Sequence, residues 1–226
     1  ALPDFLPGAV RAGNGLLPLA EAIRQAHYPD SVESNAQARR RLAFDELFLM
    51  QIGVMGRKRQ WQQEKGNPMR ADPGVLDAFL KGLPFPLTAA QRRVLDEVLA
   101  DMARDRPMSR LLQGDVGSGK TVVALAALLV AVTSGFQGAL MAPTEILAEQ
   151  HFQTVRQLLG RLPRTEEREN LLVTYLDPWP SPIAVALLTG GATRKQRGEL
   201  HERIAAGGVQ LVVGTHTLIQ GEVSFD

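Results

Sequence analysis

Apolar positions follow two different patterns along the chain, which meet near the proline-containing stretch "KGLPFPLT" at residues 81–88. Upstream, large apolar side chains recur at intervals of four, four and three residues, as on one face of a helix: Phe44, Phe48, Ile52 and Met55. Ser31 is suited to cap this helix, which we predict to extend to about Lys65. The pattern predicts a long helical strut that packs on a neighbour.

Two basic triplets lie on the predicted strut, at residues 39–41 and 57–59. The ordinary interpretation of such triplets is a solvated helix face, and the alternative is contact with nucleic-acid phosphates. The sequence leaves both interpretations open.

From residue 72 onward, helical and strand-like stretches alternate. In chain order we predict a short helix from Asp72, a helix over 88–105, a strand over 110–113, a helix from Lys120, a strand over 139–142, a helix from Glu145, a strand over 183–188, a helix over 194–205 and a strand over 209–215. This order predicts an α/β fold in which helices cover both faces of a parallel sheet. We expect a helical extension over residues 1–82 and the α/β unit over residues 83–226.

Residues 160–182 form a longer connection than an α/β unit needs at this point. The stretch is polar at first and rich in proline at its end, so we predict a surface excursion. Its Trp179 either binds a partner or folds back onto the domain, and we expect the second.

The composition narrows the setting in which the protein works. Apolar residues make up 45% of the chain and charged residues 22%, which supports a sizeable core. The formal net charge is +1, so any binding to nucleic acid must be local. There are no cysteines, no bilayer-length apolar run and no basic start of a signal peptide, so we expect a cytoplasmic protein. The missing initiator Met indicates a piece of a longer chain.

The stretch "RLLQGDVGSGKT" has the spacing of a loop that binds nucleotide phosphates. Its glycines let backbone N–H groups turn toward phosphate oxygens, and the following helix adds its positive N-terminal end. We expect Lys120 to neutralise the β and γ oxygens and the Thr121 hydroxyl to ligate Mg²⁺. The predicted nucleotide site comprises the whole loop: Gly114, Asp115, Val116, Gly117, Ser118, Gly119, Lys120 and Thr121.

One helix upstream of the loop, Thr88 and Gln91 have the spacing of a capping box, in which each side chain accepts the other's backbone N–H. The Gln91 amide offers a donor and an acceptor, so it can also read the edge of an adenine. From the spacing alone, both roles stay open.

The segments "PFPLTAAQ", "RPMSRLLQGDVGSGKTVVAL", "ALMAPTEILAEQHF", "ALLTGG" and "VVGTHTLIQ" resemble, in this order, successive motifs of the RecG family of ATP-dependent DNA helicases in superfamily 2. Upstream, "LPLAEAIRQAHYPD" and "ARRRLAFDELFLMQIG" are similar to the segment that joins that family's DNA-gripping wedge domain to its motor. The motor of the transcription-repair coupling factor shares this layout, but "GFGKT" and a different run after the proline are expected there. The resemblance implies the pre-motor linker and most of the first RecA-like lobe.

The resemblance also implies ATP and Mg²⁺ as cofactors and assigns roles to residues. Gln91 would read adenine, Phe85 would pack on the base, and Lys120 and Thr121 would act in catalysis. The implied partner of the full protein is branched DNA, such as stalled forks and recombination intermediates in DNA repair. We expect that protein to be monomeric.

Seven residues that follow predicted strands are implied to meet the DNA: Pro143, Thr144, Glu145, Thr189, Gly190, Thr215 and His216. Open α/β sheets bind ligands beyond the carboxyl ends of their strands, and hydroxyls and N–H groups there suit phosphate contact. Taken without the family, Thr144 is explained as a helix N-cap and Gly190 as a turn. His151 and His216 lack partners at metal-ligand spacing.

Hydrolysis by such motors needs a carboxylate at the end of a neighbouring strand, and no acidic residue after Lys120 fits that position. In the family, an Asp-Glu pair follows the stretch that matches "VSFD", where this sequence ends. The second motor lobe and the wedge domain are missing too, so we expect this chain to bind nucleotide and hydrolyse it poorly. The alternatives are a nucleotide-dependent binding module without turnover and another phosphate-loop enzyme, such as a kinase.

Overall fold

A computed structural model describes residues 2–162, 164–168, 170–191, 194–219 and 225. The chain divides into two compact units, Ala1–Glu64 and Lys65–Asp226, and each is described by itself. The domain boundary that the sequence suggests between residues 82 and 83 stays a prediction.

The first unit contains the helices α1 (Gly8–Gly13), α2 (Leu19–His27) and α3 (Val32–Gln63), and α2 packs on α3. The predicted cap of α3 is confirmed. The Ser31 hydroxyl accepts a hydrogen bond from the Ser34 backbone N–H (3.1 Å), and the Ser34 hydroxyl accepts one from the Ser31 N–H (2.9 Å). With 32 residues, α3 is about 48 Å long, at about 1.5 Å per residue.

Arg41 is buried, although the sequence suggests that its basic triplet lies on a solvated helix face. Its side chain is fully buried, and its guanidinium donates to Asp45 Oδ1 (2.8 Å) on the same helix and to Asp4 Oδ1 (2.6 Å) near the N-terminus. A buried guanidinium needs such acceptors because an unpaired buried charge is costly. Arg41 therefore ties the N-terminal segment to α3, whereas Arg39 and Arg40 are exposed.

The apolar stripe of α3 is packed only in its first half. Phe44 and Phe48 are half-buried and stack with ring centroids 5.8 Å apart. Ile52 and Met55 are 51% and 60% exposed, and every residue from 49 to 63 is exposed. The prediction of a packed strut is thus confirmed for the first half of the helix and wrong for the second half.

The described part of the second unit combines helices with a five-stranded sheet. The helices are α4 (Pro73–Gly82), α5 (Ala89–Met102), α6 (Lys120–Thr133), α7 (Glu145–Leu159) and α8 (Arg194–Ala205). The strands are β1 (Gly138–Met141), β2 (Thr165–Arg168), β3 (Leu171–Thr174), β4 (Ile183–Leu188) and β5 (Leu211–Gly214), after which a 3₁₀ helix covers His216–Ile219. The strand order is β1-β5-β4-β3-β2. β1, β5 and β4 run parallel, β3 pairs antiparallel with β4, and β2 pairs antiparallel with β3.

Alternate residues of β4 face opposite sides of the sheet, as the period of two in a strand requires. Val185 belongs to the larger core cluster, which also includes side chains of α4, α6 and α7, whereas Ala186 packs with Ile204 of α8. The predicted α/β fold with helices on both faces of the sheet is therefore confirmed, although the sheet is mixed rather than wholly parallel, because β3 runs antiparallel to β4.

The apolar run after the loop forms α6, the helix most deeply embedded in the core. Eight of its 14 residues are buried, and it contacts α4, α5, α7 and β1. Its apolar character is explained by this packing on several sides. Among the described residues, no helix combines the length and apolar composition needed to cross a membrane.

The predicted strand over residues 110–113 is not observed, so this prediction is wrong for the structure as it stands. The segment has no regular secondary structure and no ladder hydrogen bonds, and Leu111 is 86% exposed. A β-strand exists only through its pairing with a neighbour, and no described strand pairs with this segment.

Part of the stretch over 160–182 forms two strands of the sheet. β2 and β3 extend the sheet beyond β4 as an antiparallel pair, and Leu172 and Leu176 are buried in the main core. Trp179 packs against the same core, which confirms the expectation that it folds back. The prediction of a surface excursion is wrong, because Leu172 and Thr174 of β3 and Leu176 after it are buried.

Candidate nucleotide site and nucleic-acid edge

The phosphate-loop sequence forms a tight turn directly before α6. Gly117 and Gly119 have φ angles of 81° and 78°, a left-handed conformation that glycine adopts without the steric cost of a Cβ. Gly119 is the N-cap of α6, so Lys120 and Thr121 begin the helix where its unpaired N–H groups lie. The sequence pattern and the backbone therefore agree on a turn that leads into a positive helix end.

Lys120 closes the loop on itself. Its Nζ donates to the carbonyl oxygens of Gly114 (2.8 Å) and Asp115 (2.7 Å), and the Ser118 backbone N–H donates to the Asp115 carbonyl (3.2 Å). A Cβ on Gly114 would lie only 2.8 Å from Ser118 Oγ. Two backbone carbonyls of the loop thus hold the Lys120 ammonium group.

Gln91 connects the start of α5 to this loop. Its Oε1 accepts from the Thr88 backbone N–H (2.8 Å), and the Thr88 hydroxyl accepts from the Gln91 N–H (3.2 Å), so the capping box is confirmed. Its Nε2 also donates to the Ser118 carbonyl (2.8 Å). An amide retains one further N–H and one further lone pair after these bonds, so the adenine-reading role stays a prediction.

A cavity of about 700 Å³ lies beside the loop, within the range of ligand-binding clefts. It is lined by predicted site residues: Phe85, Gly117, Gly119, Lys120 and Thr121. Gly114, Asp115, Val116 and Ser118 are not among the residues that line it. Their contribution is to the loop's own structure, and Val116 is fully exposed.

Sequence reasoning missed the opposite wall of this cavity. α7 and the following residues supply Arg156 and Arg161, and β2 supplies Glu167. Arg156 pairs with Glu167 and donates to Gln153 Oε1 (3.3 Å). The available signal was a polar stripe on α7 with Gln153 and Arg156 three residues apart, but β2 was not predicted, so nothing placed a carboxylate opposite it.

The donors in this cavity fit a nucleotide with a divalent cation. Lys120 and the N-terminal end of α6 offer positive charge to phosphates, and Thr121 lines the same cavity. The described residues hold no cluster of three or more His, Cys, Asp or Glu side chains that could bind a metal. Thr121 could hold such a cation together with phosphate oxygens and water, which are common ligands of Mg²⁺.

The segment leading into the loop is anchored to α5 by ion pairs. Arg110 donates to Asp101 Oδ2 (2.6 and 2.9 Å) and to Glu97 Oε2 (2.7 Å). The Arg110 guanidinium lowers the pKa of the Asp101 carboxyl below its usual range, and Asp101 in turn raises the pKa of Arg110. These pairs, rather than a strand ladder, hold the start of residues 110–113.

The seven predicted DNA-binding residues gather at one edge of the sheet. β1, β5 and β4 are parallel neighbours in that order, with Met141 and Leu188 both aligned with Gly214. The segments that follow these three strands therefore emerge together: Pro143, Thr144 and Glu145 after β1, Thr215 and His216 after β5, and Thr189 and Gly190 after β4. We name these residues the strand-end edge.

The side chains of the strand-end edge differ in exposure. Pro143, Thr144, Glu145, Gly190 and His216 are exposed, whereas Thr189 and Thr215 are 8% and 4% exposed. The Thr144 hydroxyl accepts from the Leu147 N–H (3.3 Å) and caps α7, which confirms its N-cap role. The Thr215 hydroxyl hydrogen-bonds that of Thr217 (3.2 Å). Contact of these residues with DNA stays a prediction.

Glu145 makes a contact that the sequence did not suggest. Its Oε1 accepts a hydrogen bond from the Gly190 backbone N–H at 2.8 Å. This bond joins the segment after β1 to the segment after β4, which are 45 residues apart in the chain.

Comparisons with known proteins agree with this architecture. The family model for DEAD/DEAH box helicases matches residues 88–224. The chain is 45% identical over 226 residues to the ATP-dependent DNA helicase RecG of Bacillus subtilis, covering 100% of this chain and 30% of that protein. It is 43% identical over 225 residues to RecG of a Synechocystis species, covering 99% of this chain and 25% of that protein.

A solved structure of RecG bound to a three-way DNA junction has a TM-score of 0.78 and 36% identity to the chain. The match covers 100% of this chain and 28% of that one. The chain thus spans less than a third of the length of these relatives.

The helicase model covers more than half of the chain and includes the phosphate loop, the sheet and the strand-end edge. The resemblance to RecG helicases extends through the first unit as well, because the relatives match from end to end of the chain. The chain belongs to the DEAD/DEAH box helicase family and is similar to RecG over its whole length.

Proposed function

We propose that the complete gene product is an ATP-dependent DNA helicase that acts on branched DNA in repair and recombination. This chain would supply its nucleotide-binding motor lobe, over residues 83–226, and a helical linker over residues 1–82. The observation that carries the proposal is the glycine turn that seats Lys120 at the N-terminal end of α6 beside the cavity. RecG helicases are the relatives of this chain, and one of them binds a three-way DNA junction.

In the nucleotide site, phosphates would replace the Gly114 and Asp115 carbonyls as partners of Lys120. A phosphate oxygen attracts an ammonium group more strongly than a neutral carbonyl does, because the hydrogen bond is charge-assisted on both sides. Thr121 would ligate Mg²⁺, Gln91 would read adenine with its remaining donor and acceptor, and Phe85, 43% exposed at the cavity wall, would pack on the base.

At the strand-end edge, exposed backbone and the few exposed polar side chains would contact the DNA backbone without reading its sequence. The net charge of +1 supports a local contact over a general electrostatic attraction. Thr189 and Thr215 are nearly buried, so we propose that they act mainly by holding the main chain of their loops in place.

We propose that the 226-residue chain binds nucleotide but hydrolyses it poorly by itself. Glu167 is the carboxylate among the described residues lining the cavity, and it is paired with Arg156. This ion pair engages the carboxylate that would otherwise be available to act as a base on a water molecule. DNA-stimulated turnover by the 226-residue chain would contradict this part of the proposal.

The test is ATP hydrolysis by the complete gene product with and without a synthetic three-way junction. We expect the junction to stimulate hydrolysis and Lys120→Ala to abolish it, while Lys81→Ala, which removes an exposed lysine of α4, leaves it unchanged. Nucleotide binding without phosphate release on any DNA would support the alternative of a binding module. Phosphoryl transfer to a small acceptor without DNA would support a kinase.

A further inference from the structure

We propose that Glu145 is a positioning residue that fixes the Gly190 turn across the strand-end edge and thereby presents this turn to the DNA backbone. The inference rests on the proposed function, because it assigns a role within the proposed DNA contact. Glu145 would act through Gly190 and would not itself meet a phosphate.

The bond spans two strands that are not neighbours. β5 lies between β1 and β4, and neighbouring strands are about 4.8 Å apart, so the ends of β1 and β4 are separated by about 10 Å. Glu145 follows β1, Gly190 follows β4, and their hydrogen bond of 2.8 Å bridges this separation. The residues after β5, Thr215 and His216, emerge between the two bridged segments.

The chemistry of Glu145 argues against a phosphate contact of its own. A carboxylate repels the negative charge of a DNA backbone, so a glutamate at a DNA-binding edge needs another explanation. A carboxylate accepts a backbone N–H strongly, because the bond is charge-assisted. The hydrogen bond to Gly190 therefore explains why a glutamate lies at an edge where DNA phosphates are expected.

The turn admits the carboxylate because residue 190 is glycine. A Cβ added at Gly190 would collide with Glu145 Oε1, whereas a Cβ at Gly191 would meet nothing closer than Thr189 Oγ1 at 4.0 Å. The two adjacent glycines therefore differ: the absence of a Cβ leaves room for the Glu145 carboxylate at Gly190, whereas no carboxylate lies near Gly191.

Three single variants and one double variant of the complete gene product test this role, with binding to a fluorescent three-way junction measured by anisotropy. We expect Glu145→Ala and Gly190→Ala each to weaken binding about five- to tenfold, because each breaks the same hydrogen bond to a charged group. Their effects should not add in the double variant. Glu145→Gln retains an oxygen that accepts from Gly190, so it should recover most of the lost affinity.

Matched controls separate positioning from charge and from general damage. Glu149→Ala removes an exposed carboxylate one turn further along α7, and Gly191→Ala adds a methyl group to the adjacent glycine; neither should weaken binding. A folding defect would instead lower nucleotide affinity in parallel.

The outcomes distinguish the inference from the function on which it rests. A wild-type protein that does not bind the junction overturns the proposed function. A wild-type protein that binds it, with Glu145→Ala binding equally well, overturns the inference alone. Tighter binding by both Glu145→Ala and Glu145→Gln also overturns it, because Glu145 would then be competing with phosphate for the Gly190 N–H.

Discussion

Two constraints apply to Gly119: its backbone conformation and the close approach of the Gln91 side chain. Its φ of 78° belongs to the left-handed region, where a residue with a Cβ costs about 1–2 kcal/mol. A Cβ there would also collide with Gln91 Nε2, which donates to the Ser118 carbonyl. Replacing Gly119 would therefore strain the turn and displace Gln91 from the loop.

We expect Gly119→Ala to weaken nucleotide binding at least about tenfold and to destabilise the second unit by about 1–2 kcal/mol. Gly135→Ala is the matched control, because Gly135 has a φ of 88° but nothing within 4 Å of an added Cβ. It should show the same loss of stability with unchanged affinity. Titration with a fluorescent ATP analogue and urea unfolding measure the two effects, and equal affinity losses in both variants would contradict the role of Gln91.

Gln91 allows its two functions to be separated by one substitution. In Gln91→Glu, a carboxylate oxygen can still accept from the Thr88 N–H and keep the capping box. The carboxylate cannot donate to the Ser118 carbonyl and would instead repel it. We expect ATP affinity to fall about tenfold, with the discrimination against GTP largely lost and the stability of α5 retained.

Competition of ATP and GTP for the fluorescent analogue measures this discrimination, and amide hydrogen exchange over α5 measures the capping. Gln91→Ala is the companion variant, because it should lose the capping box as well. If Gln91→Glu binds ATP as tightly as the wild type does, the proposed reading of adenine is wrong.

Side-chain roles were predictable where a single local pattern determines them. The helix cap at Ser31, the capping box at Thr88 and the glycine turn before Lys120 depend on residues a few positions apart, whose geometry is set by the backbone. The bond from Glu145 to Gly190 joins residues 45 apart, and no local pattern encodes it. The sequence therefore identified the loop but not the hydrogen bond between Glu145 and Gly190.

Within the first unit, α3 depends on one buried arginine for its attachment to the N-terminal segment. Arg41 is fully buried and reaches Asp4 and Asp45. We expect Arg41→Ala to destabilise this unit by about 3 kcal/mol, because it removes a buried guanidinium that pairs with Asp4 and leaves the nearly buried Asp45 without its ion-pair partner. Arg39→Ala, which removes an exposed member of the same triplet, should change stability by less than about 0.5 kcal/mol. Urea unfolding followed by NMR signals of α2 measures both.

The same attachment should weaken in acid. The Arg41 guanidinium, together with the backbone N–H groups of Leu19 and Leu6, holds the pKa of Asp4 well below its ordinary value of 3.8. A lowered folded-state pKa means that the stabilisation is complete above the ordinary value and is lost as the pH falls below it toward the folded-state pKa. We expect no change between pH 7 and 5 and a progressive loss below about pH 4.

Asp4→Asn provides the measurement for this acid effect, because asparagine does not ionise in this range. The difference in unfolding free energy between wild type and Asp4→Asn should be constant from pH 7 to 5 and shrink from pH 4 to 3. A difference that stays constant down to pH 3 would show that Asp4 does not carry the effect.

At the scale of elements, periodicity was sufficient for helices and for strands buried on both faces. β4 and β5 are continuous apolar runs with every residue buried, as expected for parallel strands covered by helices. β2 has the sequence "TEER" and is mostly exposed, so its hydrophobic pattern does not distinguish it from a loop. Its pairing with β3 comes from the tertiary fold rather than from its own composition.

At the scale of the whole molecule, β1 is an edge strand of the described sheet. β1 pairs with β5 on one side only among the described residues, and Met141 at its end is 53% exposed. The segment 110–113 has the apolar sequence of a buried strand, yet Leu111 is 86% exposed. The sequence prediction of a strand at 110–113 was based on composition, whereas strand formation requires a partner that the described residues do not provide.

The relatives are more than three times as long as this chain, so a longer chain has residues available for such a partner. We expect the backbone amides of residues 111–113 to exchange with solvent rapidly in the 226-residue chain, because they lack ladder hydrogen bonds. In the complete gene product they should exchange at least about tenfold more slowly. Hydrogen exchange followed by mass spectrometry on both proteins measures this, with β4, already paired on both sides, as the internal control. Rapid exchange of 111–113 in both proteins would mean that Arg110 and its ion pairs, without a strand, position the phosphate loop.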